Sequence, residues 1–139
     1  MAGNSRKGSN SGAMKITEFA APTPVDCLVI GGMLVLYGAG AISPWVVPDS
    51  DIWKTLTEYF PGGAERFLWI TQNIVKWLAI THAVETLLFD QLRLRKYGVP
   101  RFSALWWKWE VSVFIEGIGA WKRIGQLVSQ KKQQQVKKR

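Results

Sequence analysis

Three apolar stretches of similar length, residues 27–47, 71–89 and 102–124, alternate with polar connections and are flanked by polar tails. A hydrocarbon core of about 30 Å takes about 20 residues of helix, and each stretch meets that length. The pattern predicts an all-α fold: an integral membrane bundle of three transmembrane helices over about residues 24–43, 67–89 and 103–124. Thr23, Pro24 and Asp26 read as a helix start. The hydroxyl serves orphan amides, the ring suits the first helical position, and the carboxylate favours the positive end of the dipole. Ser43-Pro44 stops or kinks that helix. Gly98 and Pro100 end the second helix and open the third, making these two antiparallel neighbours.

A short interfacial amphipathic helix is expected at about residues 51–60, with Ser50 as its cap. Ile52, Trp53, Leu56, Tyr59 and Phe60 fall on one side, with Lys54, Thr55, Thr57 and Glu58 opposite. Too short to span, it should lie in the interface or fold back on the bundle. Residues 1–22 read as a disordered polar tail, residues 23–124 as the membrane domain, and residues 125–139 as a solvated, basic Gln/Lys-rich tail. No secretory signal pattern follows Arg6 and Lys7. The endoplasmic reticulum membrane is the expected location, with a mitochondrial membrane as the alternative.

Polar residues inside the apolar stretches change this picture. An ionisable group at the centre of a spanning helix costs about 2.5–3.5 kcal/mol on insertion scales, so Lys76, His82 and Glu85 must face protein, water or each other. His82 and Glu85 share a helix face. On the third helix Lys108, Ser112, Glu116, Gly119 and Arg123 form one stripe, so His82, Glu85, Lys108, Ser112 and Glu116 make up a polar seam. Counting from the shared loop puts Glu85 and Lys108 at one depth, and an ion pair between them is expected, with His82 facing the interior. Glu116 is deepest. It marks either a ligand or partner contact or a wet groove. Gly31 and Gly38 on the first helix, and Gly119 on the third, would let another helix approach closely. The plain alternative for the first pair is that glycine is common in membrane helices.

Composition narrows the chemistry. The eight Trp sit mostly near the ends of the apolar stretches, where indole rings favour the bilayer interface. The single cysteine, Cys27, rules out an internal disulfide or a Cys-based metal site and reads as a small packing residue. A single histidine rules out a multi-histidine metal or haem centre, and a di-metal helical site needs more carboxylates and helices. No metal, cofactor or catalytic residue is therefore expected. There is no nucleophile–base pair beyond His82, no phosphate loop and no cofactor motif. The net charge of +8 is carried by the flanks. This suits anionic lipid headgroups, at about 1 kcal/mol per basic residue, and nucleic acid is not an expected partner. With three spans, the amino tail and the 90–101 loop carry 7 Lys/Arg on one side, against 9 for the 48–66 loop and the last eighteen residues, 122–139. The positive-inside rule barely separates these, and the crowded carboxyl tail tips the expectation towards the cytosol.

The run from Trp77 to Ile124 resembles the small eukaryotic membrane family typified by transmembrane protein 254. The likeness rests on the motif WLAITHAVETLLF around His82 and Glu85 and on the basic loop RKYGV. An apolar helix with an aromatic start and a basic tail completes it; the first helix, with its WVV-P segment, follows only loosely. The resemblance implies a topology and not an activity. Thr86 stands where relatives place Ser, and the charges of the third helix exceed the family pattern, so their roles are not carried over. A weaker likeness is to the small scaffold proteins of sterol biosynthesis, which place His and Glu on one membrane helix. Those have four spans, and the 52–60 helix does not supply the fourth.

Two function classes remain. The first is a non-catalytic scaffold or complex subunit, which holds a membrane-protein partner or a second copy of itself. The second is a lipid- or sterol-binding protein, or an accessory of a lipid-metabolising enzyme, with His82, Glu85 and Glu116 lining the cavity.

Overall fold

A computed structural model describes residues 14–138, and they are helical without strands. Helix α1 (Pro24–Ile42) opens on a capping box. The amide of Asp26 donates to Thr23 Oγ1 (3.2 Å), and the Asp26 carboxylate accepts from the Thr23 amide (2.8 Å). A 3₁₀ turn at Ser43–Trp45 ends it, where Ser43 Oγ donates to Gly40 O. Among the described residues one helical segment, Pro24–Trp45, is long and apolar enough to cross a membrane, a property signal sequences share.

Helix α2 (Asp51–Tyr59) starts at Ser50, whose Oγ accepts from the Trp53 amide. Its apolar side folds back on the chain. Trp53, Leu56 and Phe60 pack on Val46, Ala64 and Phe67, with Phe60 and Phe67 edge to face at 5.5 Å.

Helices α3 (Gly63–Ile70) and α4 (Lys76–Phe89) form one rod through a π turn at Thr71–Val75, and a second π turn carries it to Leu94. At 1.5 Å per residue the rod is about 48 Å long. It therefore overruns both ends of the expected 67–89 helix, because the sequence offers no breaker between the glycines at 62–63 and Gly98. Wide turns of this kind are rare in helix interiors and recur at functional sites.

The expected third helix is two. Helix α5 (Ala104–Glu116), capped by Ser103 Oγ on the Trp106 amide, has 13 residues. It stops at Gly117, which has φ 58° and ψ −119°. Helix α6 (Ile118–Lys137) then returns alongside α5. Arg123 reaches back over Trp109, Trp121 meets Phe89 at 5.1 Å, and Lys131 pairs with Glu18 at 3.1 Å. At about 20 Å, α5 is shorter than a bilayer core, and α5–α6 is a helical hairpin. The expected solvated tail from residue 125 is instead helix. Leu127 and Val128 are buried in it because Ala120, Ile124, Leu127 and Val128 continue an apolar stripe at helical spacing.

The main core runs along the hairpin and against the rod: Phe89, Leu94, Trp109, Val113, Ala120 and Ile124 are all fully buried. Trp109 is thus a core residue, while Trp45, Trp69, Trp77 and Trp107 are exposed. Of the tail expected to be disordered, residues 1–13 lie outside the described residues and 14–22 cross the hairpin. The Ile16 amide donates to Tyr97 O (3.1 Å), Ile16 is buried, and Phe19 stands edge-on to Trp109. Cys27 is exposed and does not pack in the core.

Candidate functional site

The break at Gly117 organises the polar residues into two clusters. The first faces α1 and α4. Gly117 N donates to Val113 O (2.7 Å) and closes the last turn of α5. The next carbonyl, Phe114 O, would take the amide of residue 118 in a continuous helix. Instead it accepts from Tyr37 Oη (3.0 Å) and faces His82 Nδ1 at 2.9 Å, while Tyr37 Oη and Nδ1 are 2.7 Å apart. The Tyr37 ring stacks on Phe114 at 5.5 Å. An orphaned backbone carbonyl away from water is costly, and two side chains on two other helices cap this one.

Gly117 admits no side chain. Its φ lies in the region L residues avoid. A Cβ there would lie 2.8 Å from Glu85 Oε2 and 2.9 Å from His82 Nε2. His82 and Glu85 do share a face, and that face receives the helix break. Glu85 Oε2 is buried without a hydrogen-bond partner.

The second cluster faces the other way. Ser112 Oγ donates to Glu116 Oε1 (2.6 Å), and the Arg123 guanidinium pairs with the same oxygen and bonds Ser112 Oγ. Arg123 also donates to Ala20 O (2.7 Å) and lies over the Phe19 and Trp109 rings. In an unbroken helix Glu116 and Arg123 would stand two turns, about 10 Å, apart; the hairpin closes that gap. Glu116 and Arg123 are 7% and 5% exposed. Glu116 Oε2 and Arg123 Nε have no partner, and both residues line a cavity of about 360 Å³ between α1 and α6.

The expected Glu85–Lys108 ion pair is not formed. Lys108 is exposed, on the rim of an apolar groove between α1 and α5. Trp109, Ser112, Val113 and Glu116 form the buried stripe of α5, and Lys108 stands one position off it. Glu110, pointing away from Lys108, is the buried acid at that level. Lys76 is exposed. Gly31 and Gly38 have nothing within 4 Å, whereas Gly40, which the pattern did not single out, meets Val75 at 3.0 Å from its Cβ position. Gly119 packs against no helix backbone. Its Cβ position looks onto Glu116 Oε2 at 3.2 Å and Asp26 Oδ1 at 3.9 Å.

A third cluster staples the rod to α5. Asp90, 7% exposed, accepts from the Arg101 guanidinium and from Trp106 Nε1 (2.9 Å). Burial opposes ionisation of Asp90, but the bonds from Arg101 and Trp106 outweigh it and hold its pKa below the usual carboxylate value. Sequence reasoning missed Asp90, Tyr37 and Gly117. The last was signalled by Glu-Gly-Ile-Gly in mid-stretch, and Asp90 by an acid abutting a basic loop. Tyr37 looked like one more apolar position. Among the described residues no group of three His, Cys, Asp or Glu could hold a metal ion. No family model, curated protein or solved structure matches the chain.

Proposed function

We propose that the chain is a small multi-pass membrane protein of the endoplasmic reticulum that acts without catalysis, as a scaffold or complex subunit. The observation that carries this reading is α1. It has the length and apolarity of a span, none of its residues is buried, and Gly31, Gly32 and Gly38 look onto open space. Leu28 and Val35 are 78% and 73% exposed. A helix so bare suits lipid, and its glycines suit a partner helix with a small-residue face. Within this reading α1 and the α3–α4 rod cross the bilayer, and the α5–α6 hairpin enters and leaves by one side. His82 and Arg123 support a structural role, since both are committed to holding the hairpin. Purification in mild detergent tests the proposal. A stoichiometric membrane-protein partner or a homo-oligomer is expected, lost in Gly31→Leu/Gly38→Leu without a loss of thermal stability. A monomer unaffected by that change contradicts it.

A second reading, a lipid- or sterol-handling protein, is favoured by the cavity into which Glu116 turns its unpartnered oxygen. A monomer that co-purifies with lipid selects this reading over the first.

A further inference from the structure

The cavity between α1 and α6 presents two carboxylate oxygens on one glycine. Glu116 Oε2 is buried and has no donor. Asp26 turns Oδ2 to Thr23 and Oδ1 towards Gly119, where a Cβ would lie 3.9 Å from it and 3.2 Å from Glu116 Oε2. Lys122, Arg123 and Gln126 also line the cavity. Arg123 is already bound to Glu116 Oε1 and Ala20 O, which leaves its Nε as a buried donor beside two carboxylate oxygens, Glu116 Oε2 and Asp26 Oδ1. A buried carboxylate oxygen without a donor is costly, and a ligand that donates there offsets the loss.

We infer that this cavity binds the headgroup of a primary-amine zwitterionic phospholipid, with the ammonium between Glu116 Oε2 and Asp26 Oδ1 and the phosphate at Lys122. The inference rests on the lipid-handling reading. Three features select this class. The charges of Asp26, Glu116, Lys122 and Arg123 cancel, which matches a zwitterion and not an anionic lipid. The acceptors require N–H donors, which a quaternary ammonium lacks, and no aromatic ring lines the cavity to hold one by its face. The cavity sits at the first turn of α1, where the apolar span begins and headgroups lie. Glu116 also borders an apolar groove of about 440 Å³, lined by Ile30, Trp107, Val111 and Ile115, along which an acyl chain can run.

The test uses the full chain in detergent, titrated with short-chain phosphatidylethanolamine, phosphatidylcholine and phosphatidylglycerol of one acyl length, and with soluble phosphoethanolamine. Phosphatidylethanolamine is expected to bind at least tenfold more tightly than the other three. Lys122→Gln, an exposed position, is expected to weaken it about tenfold with the melting temperature unchanged, and Gly119→Leu is expected to abolish it. If Gly119→Leu does not fold, Lys122→Gln decides. Equal affinity for the three lipids, or a phosphatidylethanolamine affinity unchanged in Lys122→Gln, overturns the inference. Phosphoethanolamine binding as tightly as the lipid overturns the lipid source. Retention of the same protein in alkali-washed vesicles is read in parallel. A protein that washes off defeats the membrane reading itself, while one that stays but shows no preference defeats only the headgroup assignment.

Discussion

Tyr37 on α1 and His82 on α4 meet at 2.7 Å, Oη to Nδ1, on the carbonyl oxygen of Phe114 that the break at Gly117 leaves without its helical donor. Three helices are locked at one point. Tyr37→Phe is expected to cost about 1 kcal/mol and His82→Ala about 2–3 kcal/mol, since the second removes one of the carbonyl's two partners and also leaves a void. Because both act on one oxygen, their effects in thermal denaturation should not add.

Gly117→Ala should be severe. A strained φ and a Cβ pressed on Glu85 and His82 together predict a loss of about 2–4 kcal/mol. Gly31→Ala, in open space on a regular helix, should be neutral or stabilising by up to about 1 kcal/mol. Melting temperatures of the two variants in one detergent check the contrast.

Glu116 and Arg123 form a buried pair, so removing one partner by Glu116→Gln or Arg123→Met should cost about 3–5 kcal/mol, and removing both much less. Lys108→Met, at an exposed position, should stay within about 0.5 kcal/mol, and combined with Glu85→Gln it should simply add. A double-mutant cycle on each pair distinguishes them.

Much of the fold was readable in the chain. Thr23-Pro24 and Ser50 start helices where their hydroxyls can cap, and the apolar stretch after Thr23 forms α1. Depth counting failed for Glu85 and Lys108 because depth does not fix the helix face: Trp109, Ser112, Val113 and Glu116 form the buried stripe of α5, and Lys108 stands one position off it. One backbone rotation at Gly117 turned the chain round and paired Glu116 with Arg123 instead. A glycine in an apolar stretch is ambiguous in sequence: Gly31 and Gly117 look alike, and only the atoms around each tell a helix residue from a hinge. The same turn explains the tail, whose apolar stripe past Gly125 was masked by glutamine and lysine.

The Asp90 staple carries a pH signature. Its pKa is lowered in the folded chain, so its stabilisation is complete above the unfolded value of about 3.9 and is lost as the pH falls through the folded value. The wild-type protein should therefore exceed Asp90→Asn in melting temperature at pH 5–7. The gap should close below about pH 4.

The hairpin has a consequence for the membrane. The amino segment, the 95–103 loop and the end of α6 lie together, through Ile16–Tyr97 and Glu18–Lys131. Lys15, Arg93, Arg95, Lys96, Arg101, Lys131 and Lys132 thus share one end, while Lys54 and Arg66 mark the other. In the proposed two-span topology the near balance of charge expected from three spans becomes a strong bias, which predicts a cytosolic first end. The most direct measurement is labelling of single cysteines in sealed vesicles, with Cys27 replaced by Ala. Cysteines at Lys15 and Gln135 should react from the same, cytosolic side, and one at Glu58 only from the other. A cysteine at Gln135 that reacts together with the one at Glu58 would contradict the hairpin and restore a third crossing.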